Sequence, residues 1–93
     1  MKKQKVAVKN PAGLHARPAA QLVKVAVKFK SEFFIHMYGY RINGKSILGV
    51  LTLAAEQGSE MELELNGPDE DDAMDALVEL FERGFYEMNG DHG

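Results

Sequence analysis

The residues of this chain with the clearest chemical potential stand together in Gly13-Leu14-His15-Ala16-Arg17-Pro18. A histidine at the start of a helix holds its ring beside backbone N–H groups that have no intrahelical acceptor, at the positive end of the helix dipole. An anion attached to that ring would be stabilised there, and Arg17, two positions on, can bring a guanidinium to the same anion. The dipole and the arginine both oppose an imidazolium, so the ring of His15 is expected to be neutral and nucleophilic near neutral pH. These features describe a site for transient phosphorylation of a histidine. For an isolated His-x-Arg the plainer reading is a helix cap beside a solvated arginine.

The second cluster is Lys45-Ser46-Ile47-Leu48-Gly49-Val50-Leu51. Ser46 suits a helix N-cap. Val50, Leu53 and Ala54 can face a core, which leaves Ile47, Leu48 and Leu51 as an apolar patch near His15, and exposed clusters of that kind commonly mark docking surfaces. The run from Gly39 to Ser46, GYRINGKS, also satisfies G-x-x-x-x-G-K-[ST], between a strand and a helix as a phosphate cradle requires. Against nucleotide binding, Tyr40 and Ile42 have strand character, no later apolar strand ends in a magnesium-binding Asp, and 93 residues are too few for the parallel sheet of such enzymes. A small P-loop-like nucleotide-binding protein is therefore the remote alternative.

Other candidates are weaker. His36 lies in a strand-like segment and is expected to be half-buried; His92 is in the tail. Together with His15 they lack metal-ligand spacing, so neither a metal nor a cofactor is expected. The acidic run Asp69 to Asp72 lacks the spacing and terminal Glu of an EF-hand and reads as a helix start.

The elements that must position these residues follow from periodicity. Residues 4–8 alternate as a first strand, and NPAGLH is punctuated as a turn by Pro11 and Gly13. Ala16, Ala19, Ala20, Val23, Ala26 and Val27 then recur with helical spacing; Pro18 suits the first turn, so this helix begins close to His15. Glu32 to Ile42 reads as two strands about a tight turn at Gly39. A short helix is expected from Ser46 to Gln57, stopped by Gly58. In the fourth strand Met61, Leu63 and Leu65 alternate with Glu60, Glu62 and Glu64, one face buried and one wet. Asp69 caps a last helix with Asp71 and Asp72 near its positive end, and Met74, Leu77, Val78, Phe81 and Phe85 form its core stripe. The order β-α-β-β-α-β-α favours the α+β class, an antiparallel sheet covered by helices on one face. Residues 1–88 form the one expected domain; EMNGDHG is expected to fray, with 89–93 flexible.

Composition narrows the class. With 45% hydrophobic and 27% charged residues the chain reads as an ordinary soluble domain. The absence of cysteine excludes disulfides, thiolate metal sites and a catalytic thiol, and fits a reducing compartment. The lysine-led N-terminus is too often interrupted for a signal peptide, and no stretch approaches the roughly 20 apolar residues of a membrane span, so no membrane insertion and a cytoplasmic location are expected. Net charge is −3, yet residues 1–46 carry ten basic side chains against the single acid Glu32, whereas residues 47–93 carry thirteen acids against Arg83. That division suggests one basic face that steers anionic or acidic partners. Nucleic acid is disfavoured, because no arginine cluster is interleaved with aromatics and the acidic half repels phosphates.

Read together, GLHARPAA before a helix, NGKSILGVLTLAAEQG, and a strand ending in NGPDEDDA resemble the histidine-containing phosphocarrier (HPr) family of the bacterial sugar phosphotransferase system, from about Val6 to Phe81. The resemblance implies an open-faced β-sandwich of a four-stranded antiparallel sheet and three helices. It implies a phosphoryl carrier, not a catalyst: His15 accepts phosphate on Nδ1 from phospho-enzyme I, charged by phosphoenolpyruvate, and passes it to a histidine of enzyme IIA. Arg17 and the N–H groups of Ala16 and Arg17 hold the phosphate. Gln21, Lys24, Lys45, Ile47, Leu48 and Leu51 are implied to bind these partners, and Ser46 to be modified by HPr kinase/phosphorylase. A regulatory or nitrogen-branch relative not coupled to sugar transport is the nearer alternative, and a carrier that meets successive partners is expected to be monomeric. Ala12 stands where some members have a polar residue near the histidine, and Gly44 where many carry a larger one.

Overall fold

The computed structural model describes residues 1–87. Four strands, β1 (Lys2–Ala7), β2 (Glu32–Met37), β3 (Tyr40–Asn43) and β4 (Glu60–Asn66), form one sheet in the order β1-β4-β2-β3, every neighbouring pair antiparallel. Three helices, α1 (Ala16–Ala26), α2 (Ile47–Thr52) and α3 (Glu70–Glu82), accompany it, followed by a 3₁₀ turn at Gly84–Tyr86. This is the α+β open-faced sandwich expected from the element order.

The register explains the layering. Residues directly opposite in an antiparallel pair share a face, and Val6 faces Met61 while Leu63 faces Ile35 and Leu65 faces Phe33. These side chains meet Leu22 of α1, Val50 of α2, and Met74, Leu77 and Phe81 of α3 in one buried core. The other face carries Lys3 opposite Glu64, Lys5 opposite Glu62 and His36 opposite Arg41. The β2–β3 hairpin turns through Tyr38 and Gly39, at φ 55° and 81°. Two successive positive φ values match the twist of the flanking strands, and glycine accepts the second without strain.

Several expectations change. Strand β1 starts two residues earlier and ends one earlier than 4–8, because Lys2, Lys3 and Lys5 join the ladder with side chains in or near solvent. Along α1 the buried line is Pro18, Ala19, Leu22 and Ala26; Ala16, Ala20 and Val27 are exposed. Leu22 is the anchor that the alanine spacing hides. Helix α2 ends at Thr52, since Ala54 turns into the left-handed region at φ 47° and is exposed, leaving Val50 and Leu53 as its core residues. On α3, Leu80 is buried whereas Val78 is only partly so.

The charge division along the chain is not a division of the surface. Lys2 pairs with Asp71 and Lys9 with Glu82, while β1 lies against the acidic β4. Folding thus matches half of the ten basic side chains of residues 1–46 with acids of the second half, Lys2, Lys9 and Arg41 in ion pairs and Lys3 and Lys5 opposite Glu64 and Glu62. Among the described residues the basic side chains without an ion pair include Arg17 and Lys24 on α1 and Lys28 and Lys30 just beyond it, so α1 and the segment after it keep a basic surface.

Glu64 departs from simple alternation. It projects to the open face yet is 3% exposed. His36 Nε2 lies 2.5 Å from its carboxylate and Arg41 Nη2 donates to it at 3.1 Å, with the guanidinium 3.6 Å above the Phe34 ring. Phe34, Arg41 and His36 roof the carboxylate, which explains its burial on a nominally wet face. Gly44 lies against the ring of Phe33, where any Cβ would overlap it; a larger residue at this position requires Phe33 to move.

Candidate functional site

His15 is the N-cap of α1, in extended conformation at φ −83° and ψ −166°. Its carbonyl accepts the N–H of Ala19 at 3.0 Å, and its ring makes no capping bond to the helix. The imidazole is left free for another use, which argues against the plain cap. Ala16 and Arg17 are the first two helical residues, so their N–H groups lack an intrahelical acceptor, and Pro18 has none to satisfy. The ring is 43% exposed, enough for a partner to reach it.

The loop before the helix is fixed from behind. Gly13 adopts φ 76°, Leu14 is buried, and the Leu14 N–H donates to the Ala55 carbonyl at 2.8 Å. Hence the segment after α2 sets the height of the histidine loop. Asn10, fully buried, donates from Nδ2 to the Gly13 carbonyl at 2.8 Å.

One neighbour of His15 was not expected. Glu87, 72 residues on, lies 3.0 Å from His15 Nε2 through Oε1 and is 7% exposed. The expected fraying at this residue is corrected: the 3₁₀ turn and the buried Phe85 bring it back to the head of α1. The expected tail at 89–93, and His92, lie outside the described residues. A polar stretch after the last apolar stripe holds no sequence signal for such a contact except a lone acid two residues beyond a large aromatic.

The other expected residues spread over α1 and α2. Gln21 is partly buried and Lys24 exposed on α1. Ser46 caps α2, its Oγ accepting the Gly49 N–H at 3.0 Å. Ile47 and Leu48 are 42% and 76% exposed, whereas Leu51 is partly buried and packed on the core. The Lys45 ammonium donates to the Phe29 carbonyl at 2.8 Å, so it also ties the turn after β3 to the segment after α1.

The P-loop pattern is not realised as a phosphate cradle. Its first glycine occupies the β2–β3 turn, its next residues are strand β3, and its lysine is engaged by Phe29. His36 is half-buried and turned to Glu64, and Asp69 to Asp72 begin α3, although the Asp69 carboxylate takes the Lys30 and Ser31 N–H groups and the Ser31 hydroxyl instead of capping the helix. Among the described residues no group of three His, Cys, Asp or Glu side chains could hold a metal ion, and no helix is long and apolar enough to cross a membrane.

Comparison with known proteins agrees with this fold. The family model described as the PTS HPr component phosphorylation site matches residues 2–83. The phosphocarrier protein HPr of Treponema pallidum is 48% identical over 82 residues, 88% of this chain and 93% of the relative. The crystal structure of HPr-C-His from Thermoanaerobacter tengcongensis superposes with a TM-score of 0.88 at 40% identity, covering 100% of both chains. A structure of an HPr dimer from the same organism matches at a TM-score of 0.73 and 42% identity, covering 91% of this chain and 98% of the other.

Proposed function

Because the chain belongs to the HPr phosphocarrier family of the phosphotransferase system, we propose that Nδ1 of His15 accepts a phosphoryl group from phospho-enzyme I, charged by phosphoenolpyruvate, and passes it to a histidine of an enzyme IIA in sugar uptake. The observation that carries this reading is the placement of a half-exposed imidazole at the N-cap of α1 with Nε2 already engaged. Nδ1 is then the ring nitrogen left for chemistry. Phosphate on it lies at a helix N-terminus, where the Ala16 and Arg17 N–H groups and the Arg17 guanidinium oppose its charge.

The transfer needs little else. The Nδ1 lone pair attacks phosphorus in line as the bond to the donor nitrogen breaks, and positioning with charge stabilisation supplies the rate. The chain is thus a substrate shuttling between two enzymes in the cytoplasm, and not itself an enzyme. Ile47 and Leu48, with Gln21 and Lys24 of α1, form the docking surface for both partners; Leu51 supports it from the core and Lys45 borders it. Phosphorylation of Ser46 by HPr kinase/phosphorylase places about two negative charges beside that patch and weakens docking of enzyme I. The resemblance to an HPr dimer weighs against assuming a monomer, and sedimentation at working concentration settles the state.

Incubation with phosphoenolpyruvate and enzyme I, read by phosphorus NMR and intact mass, tests the reading. An acid-labile Nδ1 phosphohistidine, absent from His15→Ala, is the expected result. No phosphate uptake with an active enzyme I of the same cell overturns it.

A further inference from the structure

The sheet has two edges, β1 and β3, and they differ in kind. Strand β1 carries Lys2, Lys3 and Lys5, charges of the sort that keep an edge from pairing with another chain. Strand β3, Tyr40-Arg41-Ile42-Asn43, has neither lysine nor proline. Its one charge is already engaged, because the Arg41 guanidinium donates to the buried Glu64 carboxylate and lies over the Phe34 ring. In place of a guard stand two exposed rings, Tyr38 at 71% and Tyr40 at 67%. Tyr38 also occupies a turn position, at φ 55°, that glycine or asparagine takes more easily. Since its ring is exposed, no burial within the chain offsets that strain.

The ladder fixes which backbone groups this edge offers. The Gly44 N–H donates to the Phe33 carbonyl at 2.8 Å, and bonded and non-bonded pairs alternate between antiparallel strands. Ile35–Ile42 and Met37–Tyr40 are therefore the bonded pairs, while Arg41, opposite His36, and Asn43, opposite Phe34, turn their N–H and C=O groups away from β2. The Asn43 carbonyl is taken by the Ser46 N–H at 3.2 Å; among the described residues the outward groups of Arg41 have no partner.

We propose that β3 is the interface of a homodimer, two copies pairing antiparallel about a twofold axis at Arg41. The edge is complementary to itself, which names a second copy as the occupant. With Arg41 facing the partner's Arg41, the two residues exchange N–H···O=C bonds. Tyr40 then falls opposite the partner's Ile42, and Ile42 opposite the partner's Tyr40, in non-bonded pairs where side chains come closest. Aromatic against β-branched is a favourable cross-strand pair, and symmetry makes it twice. Tyr38, Tyr40, Ile42, Thr52 and Leu53 line a hollow of about 310 Å³ beside the edge, and the pairing brings each Tyr40 ring to the hollow of the other copy. Like charges directly opposite would resist pairing, but each guanidinium is matched by the carboxylate of its own Glu64. His15, Gln21, Lys24, Ile47 and Leu48 take no part, so the inference stands apart from the carrier reading.

A strand of four residues makes a small interface, so the association belongs to the weak, transient class. Sedimentation equilibrium of the full chain, from micromolar to millimolar concentration, should carry the mean mass from monomer to dimer. Tyr40→Glu sets a carboxylate opposite an isoleucine in both pairs but alters only an exposed position of the monomer. It should raise the dimer Kd about tenfold, the order for losing two cross-strand pairs, with an unchanged melting temperature. Hydrogen exchange on the unaltered chain should show the Arg41 amide protected at high concentration and unprotected at low. A chain that stays monomeric throughout overturns the proposal, as does a dimer whose Kd ignores Tyr40→Glu or whose Arg41 amide stays unprotected, for then another surface joins the copies. Should Tyr40→Glu melt lower, the Arg41 amide of the unaltered chain decides.

Discussion

Gly13 and Ala55 are in backbone contact so close that a Cβ on Gly13 would stand 2.5 Å from the Ala55 carbonyl oxygen, and Gly13 also holds φ 76°. The same carbonyl receives the Leu14 N–H, so the chain after α2 acts as the shelf on which the histidine loop rests. Two separate penalties fall on any side chain here, overlap with backbone that has no rotamer to move and a left-handed conformation costing roughly 1–2 kcal/mol by itself. Gly13→Ala is expected to lower stability by at least about 2 kcal/mol and to slow phosphoryl acceptance by shifting His15, as thermal melts and transfer rates on one preparation will show. A variant as stable as the original would mean that the loop gives way easily.

Ser46 separates a structural role from a regulatory one. Its hydroxyl accepts the Gly49 N–H, and removing an N-cap costs about 1 kcal/mol. Ser46→Ala should therefore melt several degrees lower while enzyme I still transfers phosphate to it. Ser46→Asp retains a cap and adds a charge suited to a helix N-terminus, so it should melt near the original while its KM with enzyme I rises. If stability and KM move together in both variants, docking depends on the helix and not on charge at its head.

Acid sensitivity should centre on Glu64. The Arg41 hydrogen bonds first, and that of His36 second, hold its carboxyl down from an ordinary 4.5 to about 2. A group that binds its proton less readily when folded stabilises fully above its unfolded value, and the contribution fades as pH falls from about 4.5 toward 2. Glu64→Gln is expected to melt about 5 °C lower at neutral pH, since 1 kcal/mol moves a domain of this size by 4–8 °C, with the gap closing as the original loses its ion pair in acid. Melts in a pH series check this, and a gap independent of pH would assign the loss to shape instead of charge.

What could be read in advance follows the reach of local pattern. Helix α3 and strand β4 are legible because Met74, Leu77 and Phe81, and Met61, Leu63 and Leu65, repeat with the period of their element and are buried accordingly. His15 and Ser46 are legible because caps and turns are local chemistry. Glu64 is misread by the same logic, as alternation places it on the outer face without showing that Phe34 and Arg41 cover it from neighbouring strands. The basic half of the chain reads as a face only until the β1–β4 pairing sets its lysines opposite glutamates. Glu87 is invisible for a third reason: its contact depends on consecutive left-handed residues at Gly84, Phe85 and Tyr86, φ 59°, 53° and 63°, two of which are not glycine. Tertiary packing dictates that turn against local preference.

Phe85 is the residue that supplies this packing. It is fully buried, and its ring meets Phe81 of α3 edge to face at 4.9 Å between centroids. Burial of so large a side chain can offset the strain of its own positive φ, and it fixes the direction in which the chain leaves α3. Phe85→Ala removes the anchor, with a stability loss of about 3 kcal/mol. Freed from that anchor, Glu87 should leave His15, and the histidine ring should show a mixture of Nδ1–H and Nε2–H forms although residue 87 is unaltered. Tyr86→Gly is the counterpart: Tyr86 is 62% exposed at φ 63°, so glycine relieves strain without touching the anchor and should keep the Nε2–H form. Nitrogen-15 spectra of the two variants compare these outcomes directly. An Nε2–H ring persisting in a folded Phe85→Ala protein would show that Asn10, whose Nδ2 donates to the same carboxylate at 3.1 Å, is alone enough to hold Glu87 in place.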